Sequence, residues 1–463
     1  MVNFYKYYKV FCNILFFSTL LYIFYSFKFP GLNLISSDSE SFLTNSYYRT
    51  PAYPLFLKIT KFFNDDLTKL PVFQQLICVI SGAICFQICS SIKNSPLIWS
   101  LLGVFSVGNP LVWKYSNFVL SESLYISFSL LFFGFLIKGI IKKSGLNLYL
   151  ASLTLGLLIL IKPVAYAYLA SLILIFFIKL KFKKSILFLL PCLLILFITC
   201  SINYFKNGFF STQIFGGYNI VGQISNLIKP SKKDDNFFIK EKIEKKLEFI
   251  NKRIPDPPYS NWKDYYWKTT LTYNYSLWNI IEPEIEEYIT KKNINISEAD
   301  KIRAINTLSW QISKDAIIEN PFNYIQSVLI HFKSMWIMPF FNKKNELSLL
   351  QSEIDSFKSE SILIPSILNQ SFPNIIVNIK NIVMLFLFFS SLFFLLQLIL
   401  NSNNSLFLIS GISSIFINSN HLLVSLVEPA IPRYIMVVIP FLALIIAVLL
   451  IIVKDKVNLK LNK

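Results

Sequence analysis

The sequence predicts an all-α polytopic membrane protein, and three observations predict it. Of the 463 residues, 54% are apolar and only 15% are charged, against roughly 25% charged in an average soluble domain. The apolar residues gather in runs long enough to span a bilayer core, which needs roughly 20 residues per helix. The basic residues fall between those runs in a one-sided pattern. So much apolar side chain has no room inside a soluble globule of this length. A soluble enzyme, a secreted disulfide scaffold and a disordered chain are excluded.

The elements follow in order. The apolar runs are 10–28, 71–91, 96–113, 117–138, 147–162, 163–180, 185–203, 378–400, 405–427 and 434–453, ten expected spans. The third and fifth are the shortest for a crossing. The first run reads as an uncleaved anchor, because Phe29-Pro30-Gly31-Leu32-Asn33 after it holds no small-x-small cleavage site. With the N-terminus placed in the cytoplasm, the inner segments carry Lys6, Lys9, Lys93, Lys142, Lys143, Lys181, Lys183, Lys184, Lys454, Lys456, Lys460 and Lys463. Asp455 is their one acid. That is the positive-inside pattern, and an even number of spans puts both termini in the cytoplasm.

The same placement accounts for the net charge of +18. In a soluble chain that excess would point to nucleic acid; here it sets topology, and no nucleic-acid partner is expected. The six cysteines lie inside apolar runs and read as small buried hydrophobes. The two histidines, His331 and His421, are far apart in sequence and predict no metal centre. Asn418, Asn420 and His421 form a polar cluster within a span, read as interhelical hydrogen bonding. There is no internal repeat and no coiled coil.

Three modules result: a transmembrane module 1–203, an outer mostly helical domain 204–377, and a C-terminal transmembrane module 378–463. The first module carries the outer loop 29–70. In the outer domain, 234–253 is charged and helix-forming, and Ser297-Glu298-Ala299-Asp300 is a capping-box-like start. Ile302, Ile305, Leu308, Ile312 and Ala316 follow at helical spacing, and Asn320-Pro321 stops the helix. The stretch 322–340 is amphipathic and is expected along or within the membrane surface.

The unusual polar residues collect at the outer side: Asp38, Glu40 and Arg49 in the first loop, then Glu122, Lys162, Glu428 and Arg433 at span ends. Ionisable groups at membrane depth are costly and point to function. Arg49 precedes Pro51-Ala52-Tyr53-Pro54, whose prolines restrict the backbone behind it. An Arg at headgroup level suits a phosphate, because its fork binds two oxygens. A carboxylate near it, Asp38 or Glu40, suits a general base on an acceptor hydroxyl or amine. Glu122 opens a spanning helix, where the helix dipole favours it, and orients sugar hydroxyls or a cation. Lys162, in Lys162-Pro163, faces outward against the positive-inside trend and suits a lipid phosphate. The whole reads as one outward-facing pocket with cations for an anionic headgroup and carboxylates for acid–base work.

These residues resemble a family. Asp38-Ser39-Glu40-Ser41-Phe42, then Arg49-Thr50-Pro51-Ala52-Tyr53-Pro54, is similar to the first-loop pattern of GT-C-fold membrane glycosyltransferases of the family 39 type. Bacterial protein O-mannosyltransferases and lipid A aminoarabinose transferase are their relatives. Asn109-Pro110, Ser121-Glu122-Ser123-Leu124-Tyr125, Asn203-Tyr204, Gly217-Tyr218-Asn219, Asn320-Pro321 and Arg433-Tyr434 resemble later segments of the same family, in the same order. The chain departs from the pattern at Ile202, Lys162 and Phe42, where the family often has Arg, Arg and Tyr.

The resemblance implies a GT-C-like bundle of about ten spans. It implies sugar transfer from a polyprenyl-phosphate donor, with inversion, at the outer face of a bacterial inner membrane. Asp38 would be the base, with Glu40 the other candidate. Arg49, Tyr53, Glu122, Lys162, Arg433 and Tyr434 would bind the substrate. No cofactor is required; some relatives use a divalent metal, and no ligand cluster here calls for one. The acceptor is open: lipid A, a glycan, a lipid or a protein. The short cytoplasmic loops disfavour a nucleotide-sugar donor. Two other readings stand beside this one. A flippase of lipid-linked sugars would also want headgroup cations, but the halves show no repeat. A periplasmic glycan polymerase or ligase shares the layout but not the early Asp and Arg-x-Pro-x-Tyr-Pro pattern.

Overall fold

The structure, a computed structural model, describes residues 2–28, 38–63, 67–179, 182–230, 236–251, 262–292, 296–337, 374–400 and 404–461. The first-loop residues Ser36 and Ser37 and the stretch 338–373 of the expected outer domain lie outside the described residues. The described chain is helical, without strands. It divides into two compact units. One comprises Met1–Ser201, Phe386–Asn420 and Met436–Lys463; the other comprises Ile202–Leu385 and His421–Ile435.

The first unit begins with α1 (Val2–Lys28), α2 (Ser39–Leu43), α3 (Ala52–Phe63), α4 (Leu70–Ile92) and α5 (Pro96–Val107). It continues through α6 (Pro110–Ser116), α7 (Glu122–Ile141), α8 (Gly145–Ile161), α9 (Tyr166–Lys179) and α10 (Phe182–Asn207). Helix α7 packs on α8 and on α4, and α4 packs in turn on α1 and α5. The α7–α8 hairpin is made locally. Lys143 turns the chain with a positive φ of 50°, and the Ser144 side chain caps α8 by accepting from the Asn147 N–H.

Six helices among the described residues are long and apolar enough to cross a membrane: Tyr8–Ser26, Leu70–Ile92, Glu122–Ile141, Ile186–Asn207, Asn378–Leu400 and Ser405–Val427. They coincide with six of the ten predicted runs. Three further runs form shorter apolar helices, Pro96–Val107, Gly145–Ile161 and Pro163–Phe176. The run 96–113 is cut because Asn109 caps in both directions. Its amide donates to the carbonyls of Phe105 (3.1 Å) and Ser106 (3.0 Å). Its Oδ1 accepts the N–H of Val112 at 3.1 Å, and Pro110 then opens α6. The tenth run is broken by a turn at 437–438, and its last helix meets Lys454, Asp455 and Lys456 after 15 apolar-rich residues from Ile439 to Val453.

The second unit holds α11 (Gly216–Gln223), α12 (Phe237–Asn251), α13 (Trp262–Tyr275), α14 (Glu282–Lys292), α15 (Glu298–Glu319) and α16 (Pro321–Ile337). Ser297 caps α15 by accepting from the Asp300 N–H, as the capping-box spacing requires. Ile302, Ile305, Leu308, Ile312 and Ala316 are its buried stripe. Helix α11 lies against α15. The approach is so close that a Cβ on Gly217 would stand 2.2 Å from the Asn306 carbonyl oxygen, while the Gly217 N–H donates to Asn306 Oδ1 at 2.9 Å. Three rings stack beside it, Phe215, Tyr218 and Trp278, with centroids 5.8–6.0 Å apart.

The chain then runs through α17 (Asn374–Leu400), α18 (Ser405–Val427), α19 (Pro432–Met436) and α20 (Ile439–Leu461). In the first unit, Phe416 of α18 meets Phe132 of α7, Tyr168 of α9 and Phe441 of α20 at 4.7–5.6 Å between ring centroids. Asn418 bridges helices within that unit, donating to Ser391 Oγ at 2.8 Å, the interhelical bond read from the sequence.

Candidate functional site

The first loop folds into a small hook. Asp38 precedes α2, and the Ser41 hydroxyl donates to the Asp38 carbonyl at 2.7 Å. Asn45 takes a positive φ of 53°, and the Arg49 N–H donates to the Ser46 carbonyl at 2.9 Å. The chain therefore doubles back and Arg49 returns to Asp38. Arg49 Nη2 lies 2.7 Å from Asp38 Oδ1, Arg49 Nε lies 2.7 Å from Ser41 Oγ, and the guanidinium sits 4.4 Å from the Phe42 ring centroid. The pair stays partly open, with side chains 19% and 26% exposed for Arg49 and Asp38. Glu40 is exposed and forms no ion pair with a described residue.

Three hydrogen bonds tie the hook to the bundle. Ser39 Oγ donates to the Val119 carbonyl at 3.1 Å. Thr50 Oγ1 donates to the Ile161 carbonyl at 3.2 Å. The Tyr53 hydroxyl donates to Gln74 Oε1 at 3.2 Å. The first two join the sequence neighbours of Asp38 and Arg49 to residues close in sequence to Glu122 and Lys162. Tyr53 is fully buried and takes the edge of Phe42 at 4.9 Å; it stands in the wall behind the loop. Burial, and then the Glu122 charge, hold its hydroxyl well above the usual phenol range, so it remains a neutral donor.

Beneath it lies a buried amide shelf. Gln74 Nε2 donates to the carbonyls of Ser116 (2.8 Å) and Phe118 (3.0 Å). Gln75 Nε2 donates to the Val107 carbonyl at 3.1 Å. The Ser116 hydroxyl lies 3.1 Å from both Gln75 Oε1 and Ser123 Oγ. Ser123 donates to the Gln74 carbonyl at 3.2 Å, and Ser121 makes no side-chain cap bond. The two Gln74 bonds satisfy the Ser116 and Phe118 carbonyls at the irregular turn after α6, where a buried carbonyl has no water to turn to.

Glu122 and Lys162 meet on this shelf. Lys162 Nζ lies 2.7 Å from Glu122 Oε1, with the side chains 14% and 2% exposed. Glu122 is the first residue of α7 and Lys162 the C-cap of α8. Each therefore sits at the helix end whose dipole favours its charge. The hairpin brings the two ends side by side although the residues are 40 positions apart. Lys114, on α6, is a further half-buried cation of this unit, and burial pushes its pKa down.

Arg433 and Tyr434 belong to the second unit. Glu428 there accepts the Tyr434 hydroxyl and the Asn219 amide, the latter at 2.5 Å. Arg433 Nη2 lies 3.3 Å from the Tyr434 hydroxyl. Tyr273 donates to Asn219 Oδ1 at 3.4 Å. The predicted residues thus gather in two clusters, one per unit: Asp38, Glu40, Arg49, Tyr53, Glu122 and Lys162 in the first, Arg433 and Tyr434 in the second.

Sequence reasoning missed the shelf, Asn219 as the partner of Glu428, and the partners of His331. The adjacent glutamines inside the apolar run 71–91 were a signal for the shelf. His331 is fully buried, with Nδ1 accepting the Ala430 N–H at 3.3 Å and Nε2 3.3 Å from Thr269 Oγ1. Burial pushes its pKa down to about 3, so the ring is neutral. Among the described residues no three His, Cys, Asp or Glu side chains gather as metal ligands.

Comparison with protein-family models, with curated proteins and with solved structures finds no match to this chain.

Proposed function

We propose that the protein is a membrane glycosyltransferase of GT-C type that moves a sugar from a polyprenyl-phosphate donor to an acceptor at the outer face of the membrane. The observation that carries the reading is the Asp38–Arg49 contact, tethered next to the Glu122–Lys162 pair at one end of the α7–α8 hairpin. A carboxylate beside two cations is what this chemistry needs. The acceptor hydroxyl or amine attacks the anomeric carbon and gives its proton to Asp38. The bond from that carbon to the phosphate oxygen breaks, and its electron pair leaves on the lipid phosphate. Arg49 and Lys162 offset the charge that develops there, which is the usual electrostatic contribution to catalysis. One in-line displacement inverts the anomeric centre.

Asp38 is the better placed base, because it stands beside the cation that would meet the donor phosphate whereas Glu40 is exposed. Glu122 is committed to Lys162 and orients it. In this reading the chain crosses a bacterial inner membrane ten times, with the three shorter apolar helices and the last helix completing the set, and both termini are cytoplasmic. The second unit is then largely extracytoplasmic, and Arg433 and Tyr434 are its candidate substrate-binding residues.

The test supplies membranes from expressing cells with a panel of polyprenyl-phosphate sugars and follows free polyprenyl phosphate by mass spectrometry. Release by the wild type that disappears in Asp38→Asn is expected. Equal release by both removes Asp38 as base. Labelled lipid-sugar crossing the bilayer without any release would replace the transferase with a flippase.

A further inference from the structure

We propose that Arg49 is a shared ligand: a polyprenyl phosphate entering the site takes its fork from Asp38, so donor binding itself frees the base. This rests on the reading above of the site as a polyprenyl-phosphate sugar transferase.

A guanidinium grips two oxygens best along one edge of its fork. In the structure the Nε and Nη2 edge is directed at Ser41 Oγ and Asp38 Oδ1, both at 2.7 Å. A phosphate seeking that edge meets a carboxylate already on it. Conversely, a carboxylate that accepts a charge-assisted bond is held in its ionised form and is a weaker proton acceptor. The two demands on this site, cation for the leaving group and free base for the acceptor, conflict while the pair is closed. One movement resolves both.

The geometry makes that movement cheap. The Arg49–Asp38 pair is partly exposed, so water offsets much of its attraction. The Glu122–Lys162 pair, at 2% and 14% exposure, stays closed. The Arg49 guanidinium lies on the Phe42 ring, and Phe42 is braced by the edge of Tyr53. That stack holds the guanidinium at one height while it turns from one anion to the other. The donor's phosphodiester offers one charge and two free oxygens, enough to take both N–H groups of the fork, and it gains a second charge as the bond to the sugar breaks. By linkage the coupling is reciprocal: Asp38 must weaken phosphate binding by the factor with which phosphate weakens the Asp38–Arg49 contact.

The probe is a short-chain polyprenyl phosphate without sugar, titrated against the full-length protein in lipid nanodiscs. The variants are Asp38→Asn, Asp38→Ser, Arg49→Gln and the double variant Asp38→Asn/Arg49→Gln. Asp38→Asn and Asp38→Ser are expected to bind the lipid phosphate about two- to five-fold tighter than the wild type, the scale of a partly exposed ion pair. In the Arg49→Gln background the same Asp38→Asn change is expected to alter affinity less than about two-fold, because no Arg49 remains to release. Saturable binding by the wild type with no gain in either Asp38 variant overturns the exchange and leaves the transferase reading standing. A gain that persists without Arg49 also overturns it, because the lost charge then acts through its field. Absence of saturable binding in the wild type overturns both the transferase reading and the exchange.

Discussion

Removing Glu122 alone tests the physical account of the site most sharply. Its carboxylate is 2% exposed and faces an ammonium 14% exposed at 2.7 Å. Glu122→Ala leaves Lys162 charged and nearly buried, without the Glu122 carboxylate. Breaking such a pair from one side costs about 3–5 kcal/mol, because the remaining charge loses its carboxylate where little water reaches it. Replacing both residues by apolar side chains of similar size, Glu122→Leu with Lys162→Met, removes the charge as well as the pair. It is expected to restore most of that loss. For a cooperative unit of this size the single variant should lower the apparent melting temperature by about 5 °C. The assay is intrinsic fluorescence on heating in detergent, at one scan rate for all variants, because membrane proteins of this kind unfold irreversibly. A double variant less stable than Glu122→Ala would refute the reasoning. It would mean that the shelf of Gln74, Gln75, Ser116 and Ser123 depends on the ions themselves.

Two further outcomes follow from the second unit. His331 has its pKa pushed down to about 3 by burial, against about 6.5 unfolded. The unfolded chain therefore binds the extra proton first, and stability is lost as pH falls from about 6.5 toward 3. The loss is about 3 kcal/mol over the first two pH units, and melting of His331→Gln should show a shallower acid slope than the wild type; equal slopes would contradict the burial. Gly217→Ala brings a Cβ against the Asn306 carbonyl and should cost about 1–3 kcal/mol, seen as faster hydrogen exchange in α11 and the facing turns of α15. Unchanged exchange would contradict the close approach.

What could be read from the sequence was local, and what could not was tertiary. Ser297, Asp300 and the stripe from Ile302 to Ala316 speak for themselves, because a cap and a 3.6-residue period act within a few residues. Asn109-Pro110 is legible as a break, yet its reach back to Phe105 and forward to Val112 shortens a run that composition alone extends to residue 113. The acid and cation types at the site were evident from their rarity in an apolar chain. Their partners were not. Glu122 finds Lys162 because α7 and α8 form a hairpin, and Asn219 finds Glu428 across 209 positions. Gln74 and Gln75 read as interruptions of an apolar run, and only the fold shows the carbonyls they satisfy, those of Ser116 and Phe118 for Gln74 and that of Val107 for Gln75. Helix count falls between these cases. Composition marks all ten runs as apolar, but among the described residues helix length and charge qualify six.

The central claim is that Asp38 takes the acceptor proton in transfer from a polyprenyl-phosphate sugar. The measurement that tests it most directly is single-turnover transfer by purified protein in nanodiscs with the best donor, comparing wild type, Asp38→Asn and Glu40→Gln. Loss of a general base typically costs about 10²–10⁴-fold, and that loss is predicted for Asp38→Asn, with less than about ten-fold for Glu40→Gln and an inverted anomer in the wild-type product. Wild-type rate in Asp38→Asn, or a product that retains the donor's anomeric configuration, would contradict the account.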